Sequence, residues 1–540
     1  MDVNTKIIIS IYLKRDLHEN GMSLKEYADA VIAGHQPILE HDEFVYQFGS
    51  VADEVKLVED WAVTNGLTVV ESSAGKATVK VQGTTGQYNN LFKIELQTVV
   101  DGERIYHTHV GELTIPSEIN SVVEEILGLD NSVYFKHNAI LDPDYQLSID
   151  PNLISSPTPV DLARAYKFPR SPGGDLVQGK GACAAIIELG GGWTTQNLTS
   201  TFSRIGQPNP TVVDVSVDGG VNDGGVDVNS SGEVMLDIYC VGAVAPACKI
   251  AMYFAPNSYQ GFIDTIITPT NDTVNNPSVI SVSWGTTDTN WSSGARNAFD
   301  AALAAATVKG ITTFIAAGDY GVRAINGGPT YTVQYPGTSP YCVCAGGTVM
   351  SINNDYTIAS EVPWGTSGGS YAGGGGVSTI FPVPIWQTGF SSKLYPGGAV
   401  SSLTGRGIPD VSAHAVGYQF YYGSANYTGS FVGTSATAPL LAGMMARLNQ
   451  LSGKRIGFVN SDWYSVRTTA FNDQTTGDIH GGNTVGYMAT VGWDAATGIG
   501  SPIGTELYKL YKKGSTFPKF NYSFRPKSGQ TYPRISSGIR

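Results

Sequence analysis

Five short runs at residues 182–189, 249–254, 279–283, 312–317 and 341–345 are almost wholly apolar. Stretches of helical character separate several of them, among them 233–244 and 295–309. A strand that is apolar on both sides has to be covered on both faces, and alternation with helices supplies the cover. The pattern therefore predicts an α/β domain with a mostly parallel sheet and helices on both faces. Active sites of such sheets gather at the carboxyl ends of the strands. The 65 glycines in 540 residues exceed the usual share of about 7%, in keeping with many tight loops around a large core.

The first 150 residues read differently. The alternating run 6–13 predicts a strand, followed by helices at 23–32 and 52–65, the second closed by Gly66. Strands at 67–71, 76–82 and 93–99, a short helix at 87–92 and a helix at 116–129 complete an α+β unit. Residues 138–160 are rich in Pro, Asp and Ser, with weak periodicity, and read as a linker. From 514 to 540 the chain is a basic tail, with no acid after Glu506.

A net charge of -13 argues against a nucleic-acid binder. No stretch of 18 apolar residues predicts a membrane span, and the interrupted run at the N-terminus does not read as a signal peptide. The five cysteines are odd in number and lack a CxxC pair, which predicts isolated buried thiols and leaves a single bridge open.

The chemistry centres on Gly433-Thr434-Ser435, which precedes the apolar helical run 440–448. A serine feeding a helix N-terminus has an accessible hydroxyl, and backbone N–H groups nearby can face developing negative charge. It needs a base. Past the linker only His414 and His480 are available, neither in a pattern suited to a histidine triad. Carboxylates are the alternative. Glu233 and Asp237, four apart, share a helical face among apolar neighbours, where their mutual repulsion and burial raise at least one pKa. A competing reading makes Glu233 the partner of Ser230 in a capping box. Asp319 follows an apolar strand; it is a turn residue by default, or, if protonated, an O–H donor to an oxyanion.

Together, Glu-x-x-x-Asp at 233/237, Gly-Asp at 318/319 and Gly-Thr-Ser at 433–435 resemble the sedolisin (serine-carboxyl peptidase) family, most of all its kumamolisin-like members. Segments 186–192, 281–285 and 492–502 add to the likeness, as do 91–96 and 127–131 in the front unit. The resemblance implies a subtilisin-like catalytic domain at 157–513, preceded by an inhibitory, ferredoxin-like pro-domain at 1–137 and a linker at 138–156, cut by the enzyme itself near 150–157. It implies Ser435 as nucleophile, Glu233 as general base, Asp237 as its orienting carboxylate, Asp319 as oxyanion donor, and Glu188 and Trp284 as a supporting network. It also implies one Ca²⁺, held by Asp473 and Asp494 with carbonyls of Gln474, Thr490 and Gly492.

The expected activity is acid endopeptidase hydrolysis of protein or peptide substrates, outside the cell or in an acidic compartment. The alternatives are a tripeptidyl-peptidase of the same family and a non-catalytic binding protein on a peptidase scaffold. In acid a histidine base would be charged, and a carboxylate suits the task better. Gln334 stands where kumamolisin-like members carry an acid beside a substrate subsite, so specificity does not carry over.

Overall fold

A computed structural model describes residues 1–15, 21–102, 104–132, 134–143, 149–170 and 177–512; the tail at 514–540 lies outside the described residues. In the front unit, β1 (Lys6–Leu13) is followed by α1 (Leu24–Ile32), α2 (His41–Phe48) and α3 (Ala52–Thr64), then β2 (Thr68–Ser73), β3 (Thr78–Thr84), α4 (Thr85–Phe92) and β4 (Val123–Leu127). The four strands pair antiparallel in the order β2-β3-β1-β4, the ferredoxin-like arrangement.

Three details of the front unit depart from the sequence reading. Helix α2 and the hairpin partner Arg104–Val110 of strand Glu95–Asp101 were not anticipated. The helix expected at 116–129 is instead a turn followed by β4. The β-branched Val123 and Ile126 suit an extended chain, and β1 supplies an edge to pair with at Ser10↔Leu127 and Ile11↔Ile126.

The large sheet forms as predicted, with eight strands. They are β5 (Cys183–Glu188), β6 (Thr211–Ser216), β7 (Lys249–Phe254), β8 (Val279–Val282), β9 (Thr312–Ala316), β10 (Val343–Ile352), β11 (Ile358–Pro363) and β12 (Val411–His414). Its order is β6-β7-β5-β8-β9-β10, with β12 parallel and β11 antiparallel to β10. Strand alternation divides the core. Ile186 packs with Leu236 of α5 (Val228–Val244) and with Leu441 and Met445 of α8 (Thr437–Ser452), whereas Ile187 faces α6 (Tyr259–Asn271) and α7 (Ser293–Val308).

The front unit docks on α6 and α7. Tyr12, Tyr27, Phe44 and Phe48 join Phe262, Phe299 and Leu303 in one apolar cluster. At its edge Asp264 accepts hydrogen bonds from Ser10 Oγ at 3.0 Å and Tyr12 OH at 2.9 Å, and Lys80 pairs with both Asp264 and Asp218. Fully burying aromatic and aliphatic side chains of this size stabilises by about 1.5–3 kcal/mol each, so apolar contact rather than the polar rim holds the unit in place. All five cysteines are buried and unpaired.

Candidate active site

Five separate segments meet at the carboxyl ends of the sheet's strands. Glu188 ends β5, Ser283 follows β8, and Asp319 lies three residues past β9. Helix α5, capped by Asp227, delivers Glu233 and Asp237 one turn apart on its buried face. Because the cap is Asp227, Glu233 sits well inside the helix and the capping-box reading with Ser230 is not realised. Ser435 occupies a 3₁₀ turn, Thr434–Ala436, that opens into α8.

Ser435 Oγ donates to Glu233 Oε2 at 2.8 Å. Neither post-linker histidine takes that role: His414 Nδ1 accepts from the Met350 amide, and His480 stacks on Tyr395. The Glu233 and Asp237 carboxyls share a hydrogen bond that needs a proton on one of them. Ser283 Oγ contacts both Asp237 oxygens at 3.0 and 3.1 Å. Behind them Trp284 Nε1 donates to Glu188 Oε2 at 3.0 Å. Glu188, Glu233, Asp237 and Asp319 are all fully buried. Desolvation pushes each upward, Glu233 to about 8, and the neighbouring carboxyl charges add to the shifts at Glu188 and Asp237.

Asp319 presents its two oxygens unequally. Oδ1 accepts from the Thr434 amide at 2.8 Å and from Thr434 Oγ1 at 2.9 Å. Oδ2 is buried, without a hydrogen-bond partner among the described residues. An acid whose one oxygen is occupied by two donors carries its proton on the other, and Oδ2 points at the cleft. Gly433 allows that approach: a Cβ there would lie 2.0 Å from Asn138 O and 2.8 Å from Asp319 Oδ2.

Asn138 was not singled out in the sequence; it lies at the start of the linker. In the structure, residues 136–141 cross the cleft. Lys136–His137 pairs antiparallel with strand Trp284–Thr287, and Ile140–Leu141 pairs with strand Tyr427–Val432. Between them the Asn138 N–H donates to Ser283 O at 3.0 Å, and Asn138 O accepts from the Ser435 amide at 3.1 Å. His137 Nδ1 lies 3.5 Å from Glu233 Oε2, its pKa lowered to about 4 by burial. The expected cleavage region 150–157 is elsewhere: Leu153 bridges Asn353, and the Ile154 amide donates to Ile352 O. The only sequence signal for Asn138 was its place between the front unit and the linker.

The two expected carboxylates both hydrogen-bond to the 490–492 turn. Asp473 Oδ2 accepts from the Gly492 amide at 2.8 Å, and Asp494 Oδ2 accepts from the Thr490 amide at 2.8 Å. Asp494 is fully buried and pushed up to about 7 by burial, opposed by hydrogen bonds from backbone amides, with no cationic partner among the described residues. The donor set is all oxygen and anionic, and it converges on the 490–492 turn. That chemistry fits a calcium ion. Gln474 Nε2 donates to Glu361 Oε2 at 3.1 Å and to Ser501 Oγ at 3.4 Å, while its Oε1 is buried without a hydrogen-bond partner among the described residues.

Residues 1–132 match the Pro-kumamolisin activation domain, and residues 224–487 match the Subtilase family. Kumamolisin of Bacillus sp. is 35% identical over 517 residues, covering 93% of this chain and 91% of its own. Tripeptidyl-peptidase sed5 of Aspergillus fumigatus is 25% identical over 538 residues, covering 89% of this chain and 90% of its own. Among solved structures, Pseudomonas sedolisin, a serine-carboxyl proteinase complexed with two molecules of pseudo-iodotyrostatin, superposes with a TM-score of 0.55 at 25% identity. That match covers 66% of this chain and 97% of the other.

Proposed function

The chain belongs to the sedolisin family of serine-carboxyl peptidases, and from that membership we propose that it is an acid-acting endopeptidase whose first substrate is its own Asn138–Ala139 bond. The observation that carries this reading is the seating of Asn138: its carbonyl is on the Ser435 amide, and its N–H is on Ser283 O. The Ser435 hydroxyl beside it is already hydrogen-bonded to Glu233.

Ser435 Oγ attacks the Asn138 carbonyl carbon while Glu233 takes the hydroxyl proton, with Asp237 holding Glu233 in place. The Ser435 N–H and the Asp319 Oδ2–H stabilise the oxyanion. Collapse returns the proton from Glu233 to the Ala139 nitrogen and leaves Asn138 as an ester on Ser435. Water, deprotonated by Glu233, then hydrolyses the ester. Glu233 must be ionised and Asp319 protonated, so the rate follows a bell-shaped pH profile. The value near 8 for Glu233 arises chiefly from desolvation with the cleft filled. Departure of the 134–142 segment admits water and lowers it toward the carboxylate range. The acid limb of the processed enzyme therefore lies well below that of the precursor, whose first cut in acid draws on the small ionised fraction of Glu233 and is slow. Such chemistry suits work outside the cell or in an acidic compartment; among the described residues no helix is long and apolar enough to cross a membrane.

The passage of the chain through the cleft favours endopeptidase over tripeptidyl-peptidase action. Lys136 stands third from the scissile bond, yet the chain continues upstream, with the Phe135 amide donating to Asn257 Oδ1 at 2.8 Å. An N-terminally blocked peptide is expected to be cut internally; release of tripeptides from free N-termini alone would favour the alternative.

One Ca²⁺ at Asp473 and Asp494, with the carbonyls of Gln474, Thr490 and Gly492, would neutralise the buried carboxylate and fix the 490–492 loop. Chelation is expected to lower the thermal midpoint by several degrees in the wild type and not in Asp494→Asn; equal responses would remove the metal from the account.

Incubation of the full chain at pH 3–5 should yield a fragment beginning at Ala139, and Ser435→Ala should remain uncut. A first cut at 150–157 with Asn138–Ala139 intact would sink the self-cleavage assignment.

A further inference from the structure

Gln334 lies in the cleft beside the residue that precedes the scissile bond. Its side chain is buried, 2% exposed, and lies flat over Gly285, where an added Cβ would fall 2.7 Å from its Cγ and Cδ. Gln334 Nε2 donates to Ala324 O at 3.3 Å, which fixes which end of the amide carries the hydrogens. The remaining N–H and the Oε1 face the Asn138 side chain, which is equally buried. Asn138 Nδ2 donates to Gln334 Oε1 at 2.7 Å, and Gln334 Nε2 donates to Asn138 Oδ1 at 3.1 Å. The two amides form a closed, reciprocal pair.

We propose that Gln334 makes this subsite an amide reader, so that the enzyme cleaves after asparagine, and after aspartic acid only while that side chain is protonated. The inference rests on the self-cleavage reading above, since that reading makes Asn138 the residue on the acyl side of the bond. The subsite offers one acceptor and one donor side by side in a dry pocket. A primary amide satisfies both. A protonated carboxyl does as well, its C=O accepting from Nε2 and its O–H donating to Oε1. A carboxylate leaves Oε1 facing negative charge. A hydrocarbon leaves Oε1 and one Nε2 hydrogen of Gln334 buried without partners, the arrangement that costs most. Glutamine is one methylene too long for a pocket floored by Gly285 and is accepted less well than asparagine.

The test uses the processed enzyme and N-terminally blocked peptides identical except for Asn, Asp or Leu at this position, with kcat/KM measured from pH 3 to 6. Asn is expected to exceed Leu by about 10²-fold or more. The Asn/Asp ratio is expected to stay near constant below pH 4 and to grow about tenfold per pH unit above it, as the Asp side chain ionises near 3.9. Gln334→Leu should reverse the Asn/Leu order. If that variant fails to fold, the full chain supplies a second readout. Asn138→Asp should self-process at pH 3 and slow progressively against the unaltered chain as pH rises to 6, and Asn138→Leu should be slow throughout. Equal cleavage of Asn, Asp and Leu peptides at every pH overturns the amide reading alone. Failure of the enzyme to cut any of them, with the full chain intact at Asn138, overturns it together with the self-cleavage reading.

Discussion

Glu233 and Asp410 are both fully buried carboxyls in the same domain, and their surroundings could hardly differ more. Asp410 is closed in on every side: Arg406 donates through Nη1 and Nη2 at 3.1 and 2.7 Å, Tyr464 OH at 2.9 Å and the Cys344 amide at 2.8 Å. It is charge-balanced and hydrogen-bonded at both oxygens. Glu233 has other acids around it, and its one basic neighbour among the described residues is His137, which departs with the front unit once Asn138–Ala139 is cut. The difference teaches how one fold uses burial in two ways. A buried carboxyl given a cation becomes a fixed structural charge, whereas a cluster denied one holds its protons into the neutral range and can exchange them with a substrate.

Exchanging the chemistry of each site should break the comparison in opposite directions. Glu233→Gln keeps shape and removes the exchangeable proton, so kcat/KM is expected to fall about 10⁴-fold while the unfolding midpoint at pH 7 holds or rises. Less than a tenfold loss of activity would rule out Glu233 as the base. Asp410→Ala leaves Arg406 buried without its counter-charge and is expected to destabilise by about 3–5 kcal/mol, read by denaturant or thermal unfolding. Activity per folded molecule should stay within a few-fold of normal. A stable variant that is catalytically dead would mean that Asp410 belongs to the chemistry after all.

A smaller effect belongs to Asp319. Its alanine variant loses one oxyanion donor, for an expected drop of about 10²–10³ in kcat. Asp319→Asn keeps a donor that does not titrate, so its alkaline limb should move to higher pH than that of the wild type; an unchanged limb would assign that limb to another group.

The mildest test is the pH dependence of stability. Glu233 is raised by burial to about 8 against an unfolded carboxyl near 4.3, and Glu188, Asp237 and Asp319 shift the same way. In each case the folded state retains a proton that the unfolded state has lost. Their contribution is therefore fully present below about pH 4 and is lost as pH rises toward 8. Thermal unfolding of the Ser435→Ala precursor should show a midpoint about 10 °C lower at pH 8 than at pH 4. Glu233→Gln in that background should flatten part of the slope, and a midpoint that rises with pH would contradict the buried-acid account.

Much of this protein was legible in its residues alone. The apolar runs between 182 and 345 dictated a parallel sheet because no other arrangement covers both faces of such strands, and α5 followed from the spacing of its apolar side chains. The spacing of Glu233 and Asp237 placed both acids on one buried helical face, and the Gly-Thr-Ser turn marked the start of α8. Local sequence could not decide whether 116–129 would coil or pair, since β1 supplied the deciding edge from over a hundred residues away. Nor could it tell that Asp319 turns Oδ2 to the cleft, which depends on Thr434 occupying Oδ1 from a distant segment. Least visible of all was Asn138. Its role comes from hydrogen bonds to Ser283, Gln334 and Ser435, three residues spread along the chain that meet only where the packed structure gathers their segments around the cleft. Hydrophobic patterning is local and can be read along a chain, whereas a reacting bond is fixed by contacts between segments that only the packed structure brings within reach.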